Sequence, residues 1–171
     1  MLGFNGGLLG VFRTPGFNAA VGLWTPQEQC IAQLRKKWKA SAAPVYSQSS
    51  LYSGVTAASL ANMTNGSYTD TATATDTGGS QWVKVNYGQI VRMESAVVGT
   101  ATNNIPGGWS KSYTETKDVQ VSTDDSTWTT VFNTGTFAAD GIYTFYFAPV
   151  EAQYMRITGG SYVAISEFYA L

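Results

Sequence analysis

The chain has 171 residues, 18.3 kDa, 12% charged and 44% apolar residues, and a formal net charge of −1. That is one domain with a real core, not a disordered chain, and no apolar run reaches the ~18 residues of a membrane helix. The absence of His and the single Cys30 exclude His-based triads, His-ligated zinc, thiolate zinc sites and intrachain disulfides, which leaves carboxylates as the main route to catalysis.

Residues 1–24 open with MLGFNGGLLGV, apolar but interrupted by Gly3, Gly6, Gly7 and Gly10. Glycine at that density disfavours a helix, and the stretch lacks the basic start of a secretory signal. It reads as an extended arm that needs a partner surface. Residues 25–40 then read as a short helix and linker. Thr25 caps it, Pro26 takes the first helical position, and Glu28 completes a capping box. Ile31, Leu34 and Trp38 form one narrow apolar face. Arg35, Lys36, Lys37 and Lys39 crowd the last turn, where the helix dipole favours cations. Residues 1–40 thus carry about +4 and residues 41–171 about −5. The acidic body speaks against nucleic-acid binding.

Residues 41–171 read as β. The Thr-rich stretch Thr64–Thr77 resembles low complexity, but Tyr46, Leu51, Tyr52, Val55, Leu60, Met63 and Tyr68 supply core anchors around it. Strand-like runs follow at Trp82–Tyr87, Val91–Gly99, Ser112–Ser122, Thr127–Phe132, Tyr143–Phe147, Tyr154–Thr158 and Val163–Tyr169. Lys117–Phe132 reads as a hairpin turning at Thr123-Asp124-Asp125-Ser126. The two Asp there suit turn chemistry. No second helical pattern separates the strands, so the expectation is an antiparallel sandwich; alternation together with the ordered segments described next puts Trp82, Val85, Trp128, Phe147 and Ile157 in its core.

Six segments carry a family resemblance in order. They are Leu60–Gly66, Gln81–Gly88 (QWVKVNYG), Trp109–Tyr113, Val119–Asp124 with Trp128, Phe147–Ile157, and Glu167-Phe168-Tyr169. Residues 44–171 resemble a discoidin domain, the type C domain of coagulation factors, a fold shared by many carbohydrate-binding modules. The resemblance implies an all-β, eight-stranded antiparallel jelly roll. Departures are Asn65 and Asn86 for the usual Asp, Asp125 for Gly and Gln153 for Arg. Separately, Gly22–Gln29 (GLWTPQEQ) followed by Trp38 is similar to a segment of tailed-bacteriophage structural proteins.

The resemblances imply a non-catalytic virion protein with a carbohydrate-binding-type module, a tail-fibre or appendage part that adheres to host glycans. The alternative is a capsid decoration, baseplate or neck protein that uses the sandwich as an interaction surface. Partners would be other virion proteins through residues 1–40, a second and third copy of the chain in a trimer, and a cell-surface glycan. No cofactor is required. A sugar site wants exposed aromatic rings beside polar side chains, which makes Tyr46, Tyr52, Tyr68, Arg92, Asn103, Asn104, Trp109 and Tyr162 the candidates. In sugar-binding relatives the early loop and the last strand hold a structural calcium. The resemblance then implies Asn65, Asp70, Thr71 and Glu167 as its ligands, hard oxygen donors of the kind calcium takes.

Overall fold

The computed structural model describes residues 43–102 and 108–171. The expected arm and helix within residues 1–40 lie outside the described residues. Among the described residues seven strands form antiparallel pairings throughout: β1 (Val45–Gln48), β2 (Thr73–Ala74), β3 (Gln81–Thr100), β4 (Asp118–Ser122), β5 (Thr129–Asn133), β6 (Ile142–Gly159) and β7 (Ala164–Ala170). One turn of helix, α1 (Leu60–Met63), precedes β2, and a 3₁₀ turn at Lys111–Tyr113 precedes β4. The sheet order is β2-β7-β3-β6-β4-β5, with β1 added beside β3.

Two long strands make the sandwich. Register shifts between Asn86 and Val91, and again between Met93 and Ser95, bend β3 against β6. A bulge bends a strand and increases its twist. The first half of β3 therefore pairs with β1 and with the end of β6, which continues to β4 and β5. Its second half pairs with the start of β6 and with β7. Two predicted pairs of strands, Trp82–Tyr87 with Val91–Gly99 and Tyr143–Phe147 with Tyr154–Thr158, are thus each one continuous bent strand.

Between the two layers lies a core of Val83, Val85, Met93, Val98, Val119, Met155, Ile157, Ile165 and Phe168, all fully enclosed. Phe132 stacks on Phe145 at 4.6 Å and 12°, and on Phe147 at 5.7 Å, which closes one side of this core. Val85 and Ile157 fall where the sequence places them, and Phe147 packs half-buried against them.

Trp82 and Trp128 do not join this core. Strand side chains alternate between faces. Val83, Val85 and Tyr87 point inward, so Trp82, Lys84 and Asn86 point out. Arg156 likewise faces out between buried Met155 and Ile157, and its guanidinium stacks on Trp128 at 4.0 Å. Both indoles are half-buried under cations on the outer face. The expected strand Ser112–Ser122 is also shorter than predicted, because Lys111–Tyr113 takes the 3₁₀ turn before β4 begins at Asp118. The Thr-rich stretch is structural: Thr71, Thr73 and Thr75 are buried.

Candidate functional site

At one end of the sandwich a second, smaller cluster gathers Val55, Ala74, Ala101, Trp109 and Ala164, with Tyr52, Tyr113 and Tyr162 packed on it half-buried. Trp109 is 2% exposed, so it is the floor of the cluster, in keeping with the buried position its family segment implies, and not an exposed platform. Tyr52 meets its ring edge-on at 4.9 Å and 89°, Tyr113 at 4.9 Å and 73°, and Tyr162 at 5.7 Å and 71°. Tyr162 also touches Tyr52 and Tyr113 at 6.1 and 5.7 Å. Edge-to-face packing is the favoured aromatic geometry.

The cluster is assembled from three parts of the chain. Tyr52 follows β1, Trp109 precedes the 3₁₀ turn and Tyr113 is its last residue, and Tyr162 sits in the β6–β7 turn with φ 30°. A positive φ on a bulky residue costs energy unless its surroundings hold it there, and such strain concentrates at binding sites. The indole N–H of Trp109 is buried and has no acceptor among the described residues. The hydroxyls of Tyr52, Tyr113 and Tyr162 likewise show no hydrogen-bond partner among the described residues.

The other sugar-site candidates are dispersed. Tyr46 is a correction to the sequence reading. Its ring packs against the main core, and its hydroxyl donates to the Phe168 carbonyl at 2.7 Å. Burial pushes that phenol far above its usual range. Tyr68 is exposed in the loop after α1. Arg92 lies near the bend of β3 and pairs with Glu94 at 3.2 Å, both side chains about half exposed. Asn103 and Asn104 lie outside the described residues. Tyr113 is the cluster member that the sequence reading omits. Its spacing of four from Trp109 across a short turn is the signal that was there.

Of the four expected calcium ligands, Asp70 and Glu167 act on each other electrostatically. Glu167, on β7, is fully buried, and its Oε1 accepts the Gly66 N–H at 2.7 Å. Burial raises its pKa, and the charge of Asp70 raises it further, against the lowering effect of main-chain N–H groups at Gly66, Ser67 and Asn65. Glu167 Oε2 and Asp70 Oδ1 are buried atoms without a partner among the described residues. Leaving such groups unpaired is costly. Each is an oxygen donor of the kind a hard cation takes. The remaining two candidates are committed elsewhere. Asn65 Oδ1 accepts the Ser67 N–H at 2.7 Å in a turn that needs Gly66 at φ 78°. Thr71 Oγ1 exchanges two hydrogen bonds with the Thr102 main chain at 3.0 and 3.1 Å. No group of three or more Cys, Asp or Glu side chains gathers among the described residues, so two carboxylates would carry the site.

With this geometry in place, comparison with known proteins gives one consistent result. The family model of the F5/8 type C domain matches residues 44–168. Among solved structures the chain is similar to CpGH89CBM32-5 from Clostridium perfringens, solved with GalNAc-β-1,3-galactose: TM-score 0.57, 14% identity, covering 75% of this chain and 94% of that one. It is similar to a fucolectin from striped bass serum, Morone saxatilis, with TM-score 0.61 and 15% identity over 74% of this chain and 46% of that one. It is also similar to chitosan-binding module 1 of a Paenibacillus sp. IK-5 chitosanase/glucanase, with TM-score 0.52 and 22% identity over 74% and 93%. No curated protein matches the chain.

Proposed function

The chain belongs to the F5/8 type C domain family, and from that premise we propose that its sandwich is a non-catalytic glycan-binding module. The observation that carries this reading is the ring of Tyr52, Tyr113 and Tyr162 around Trp109. A sugar offers apolar C–H faces and a rim of hydroxyls. Aromatic rings match the faces, and phenol hydroxyls with no protein partner among the described residues match the rim. The similar structures are themselves a carbohydrate-binding module solved with a disaccharide, a fucolectin and a chitosan-binding module, which supports the same reading.

The setting we propose is a bacteriophage tail fibre or appendage that adheres to host-surface glycans. Its support is the GLWTPQEQ segment and the apolar, glycine-rich residues before it. Residues 1–40 would engage other virion proteins, with the chain as a trimer. A structural calcium would be held by Asp70 and Glu167, where its charge would tie the loop after α1 to β7 without any part in chemistry.

Titration of the full chain with galactose-, GalNAc- and fucose-bearing oligosaccharides tests the site. Tyr52→Ala and Tyr162→Ala should each weaken binding by about tenfold, the scale of one lost stacking contact of roughly 0.5–1.5 kcal/mol together with its hydroxyl's hydrogen bond. Their melting curves should stay cooperative. Full affinity in both variants would contradict the assignment.

A further inference from the structure

We propose that the outer face of the β1–β3–β6–β4–β5 layer is a second ligand surface, built for a saccharide chain that carries uronate carboxylates. The face shares no residue with the tyrosine cluster, and the proposal goes beyond the glycan reading above.

Lys84 and Arg156 stand directly opposite each other on neighbouring strands, and Gln120 stands opposite Arg156 on the next. Like charges paired across a sheet are destabilising. The domain that holds this cation pair is acidic as a whole, at about −5 over residues 41–171. Among the described residues a single acid forms an ion pair with either cation. Asp125 reaches Lys84 Nζ with both oxygens, at 2.6 and 2.8 Å, and its charge also acts on Arg156. Asp118, one row along the same face, accepts from Asn133 at 2.8 Å. Among the described residues no carboxylate pairs with Arg156. Its Nε donates to Gln120 Oε1 at 2.8 Å.

Aromatic rings frame the two cations. Lys84 Nζ lies 4.9 Å from the Trp82 ring and 5.7 Å from that of Tyr154, while Arg156 covers Trp128. Such contacts fix the cations in place on rings that stay half exposed. Gln120 continues to Thr130 at 3.1 Å, and Gln153 reaches both Asn86 and the Tyr154 hydroxyl at 3.1 Å. Rings and amide groups thus alternate across the face, the mixture that sugar C–H faces and hydroxyls require. Five strands at ~4.8 Å spacing make it about 19 Å wide, the scale of a short oligosaccharide. The carboxylate of Asp125 already occupies the position that a uronate would take on Lys84. A guanidinium beside it offers the planar donor pair that carboxylates prefer.

The test is titration of the full chain with tetragalacturonate, followed by calorimetry and by the Trp indole N–H resonances, assigned through Trp→Phe variants. The expected result is binding that weakens with added NaCl, perturbs Trp82 and Trp128, and exceeds binding of neutral tetragalactose. Arg156→Gln should lose at least about tenfold in affinity, the scale of one charge-assisted contact. Asp125→Asn, which suits the φ of 62° at that position, should instead bind more tightly because it frees Lys84. A merely structural role for the charge network would not produce that gain. Absence of binding at millimolar probe, equal binding of tetragalactose, unchanged affinity in both variants, or perturbation confined to Trp109 would each overturn the proposal. The tyrosine variants tested above should leave tetragalacturonate binding intact, so the two sites succeed or fail separately.

Discussion

Asp124 organises the β4–β5 turn through one carboxylate oxygen. Its Oδ1 accepts the main-chain N–H of Thr127 at 2.8 Å and of Ser126 at 2.9 Å, and the Ser122 hydroxyl at 2.9 Å. These bonds hold its pKa well below the carboxylate range, those from Thr127 and Ser126 first. A carboxylate whose folded pKa is depressed stabilises the fold above its unfolded pKa, about 4, and loses that contribution as pH falls below it. Acid unfolding should therefore show a steeper loss of stability below pH ~4 in the wild type than in Asp124→Asn. Equal slopes would contradict the assignment. The neighbouring Asp125, at φ 62°, shows why glycine is the usual residue of this family there. Asp keeps the turn and adds the Lys84 ion pair. Gly99 is constrained differently. A Cβ there would meet the Glu167 main-chain nitrogen at 2.7 Å and its Cβ at 2.8 Å, and would also collide with the Ser166 hydroxyl. Gly99→Ala should destabilise by about 1–3 kcal/mol in denaturant unfolding, the usual cost of overpacking. A neutral result would mean that β3 and β7 are not held this closely.

Elements were legible in the sequence in proportion to their periodicity. QWVKVNY alternates cleanly, and the β4–β5 hairpin follows from VQVS, its Asp-rich turn and TWTTVF. The same alternation contains the lesson on Trp82. It stands an odd number of residues from Val85, so a regular strand cannot bury both on one face. Family position suggested core, and parity decided otherwise. The bends in β3 and β6 were less visible. Gly88 marks one with φ 71°, but nothing local says that two predicted strands are one. β1 and β2, of four and two residues, are too short to show a period at all. Thr73 and Ala74 are both fully buried, so β2 offers no alternation to read. At the loop after α1, the buried and unpartnered oxygens of Asp70 and Glu167 make a specific prediction about the element they join to β7. Calcium at 100 times its dissociation constant should stabilise the protein by about 2.7 kcal/mol, and a chelator should reverse the rise in melting temperature. Glu167→Gln should abolish the response. A melting temperature indifferent to calcium would remove the ion from the account.

On the scale of the whole molecule, the order of six short segments was enough to give the fold, because each marks a strand or turn that the sandwich cannot omit. The aromatic cluster was harder to read. Tyr52, Trp109, Tyr113 and Tyr162 are spread over more than a hundred positions and meet only once β6 turns back to β7. Tyr46 read as an exposed ring because β1, at four residues, is too short to show which face it presents. The central claim is that this assembled end binds glycan. It is tested most directly by following the indole N–H resonances of the full chain during titration with the galactose-, GalNAc- and fucose-bearing panel. The Trp109 resonance should shift saturably with at least one neutral oligosaccharide, and Tyr162→Ala should suppress the shift while Trp82 and Trp128 stay unmoved. A Trp109 resonance that remains fixed across the whole panel at millimolar sugar would contradict the assignment.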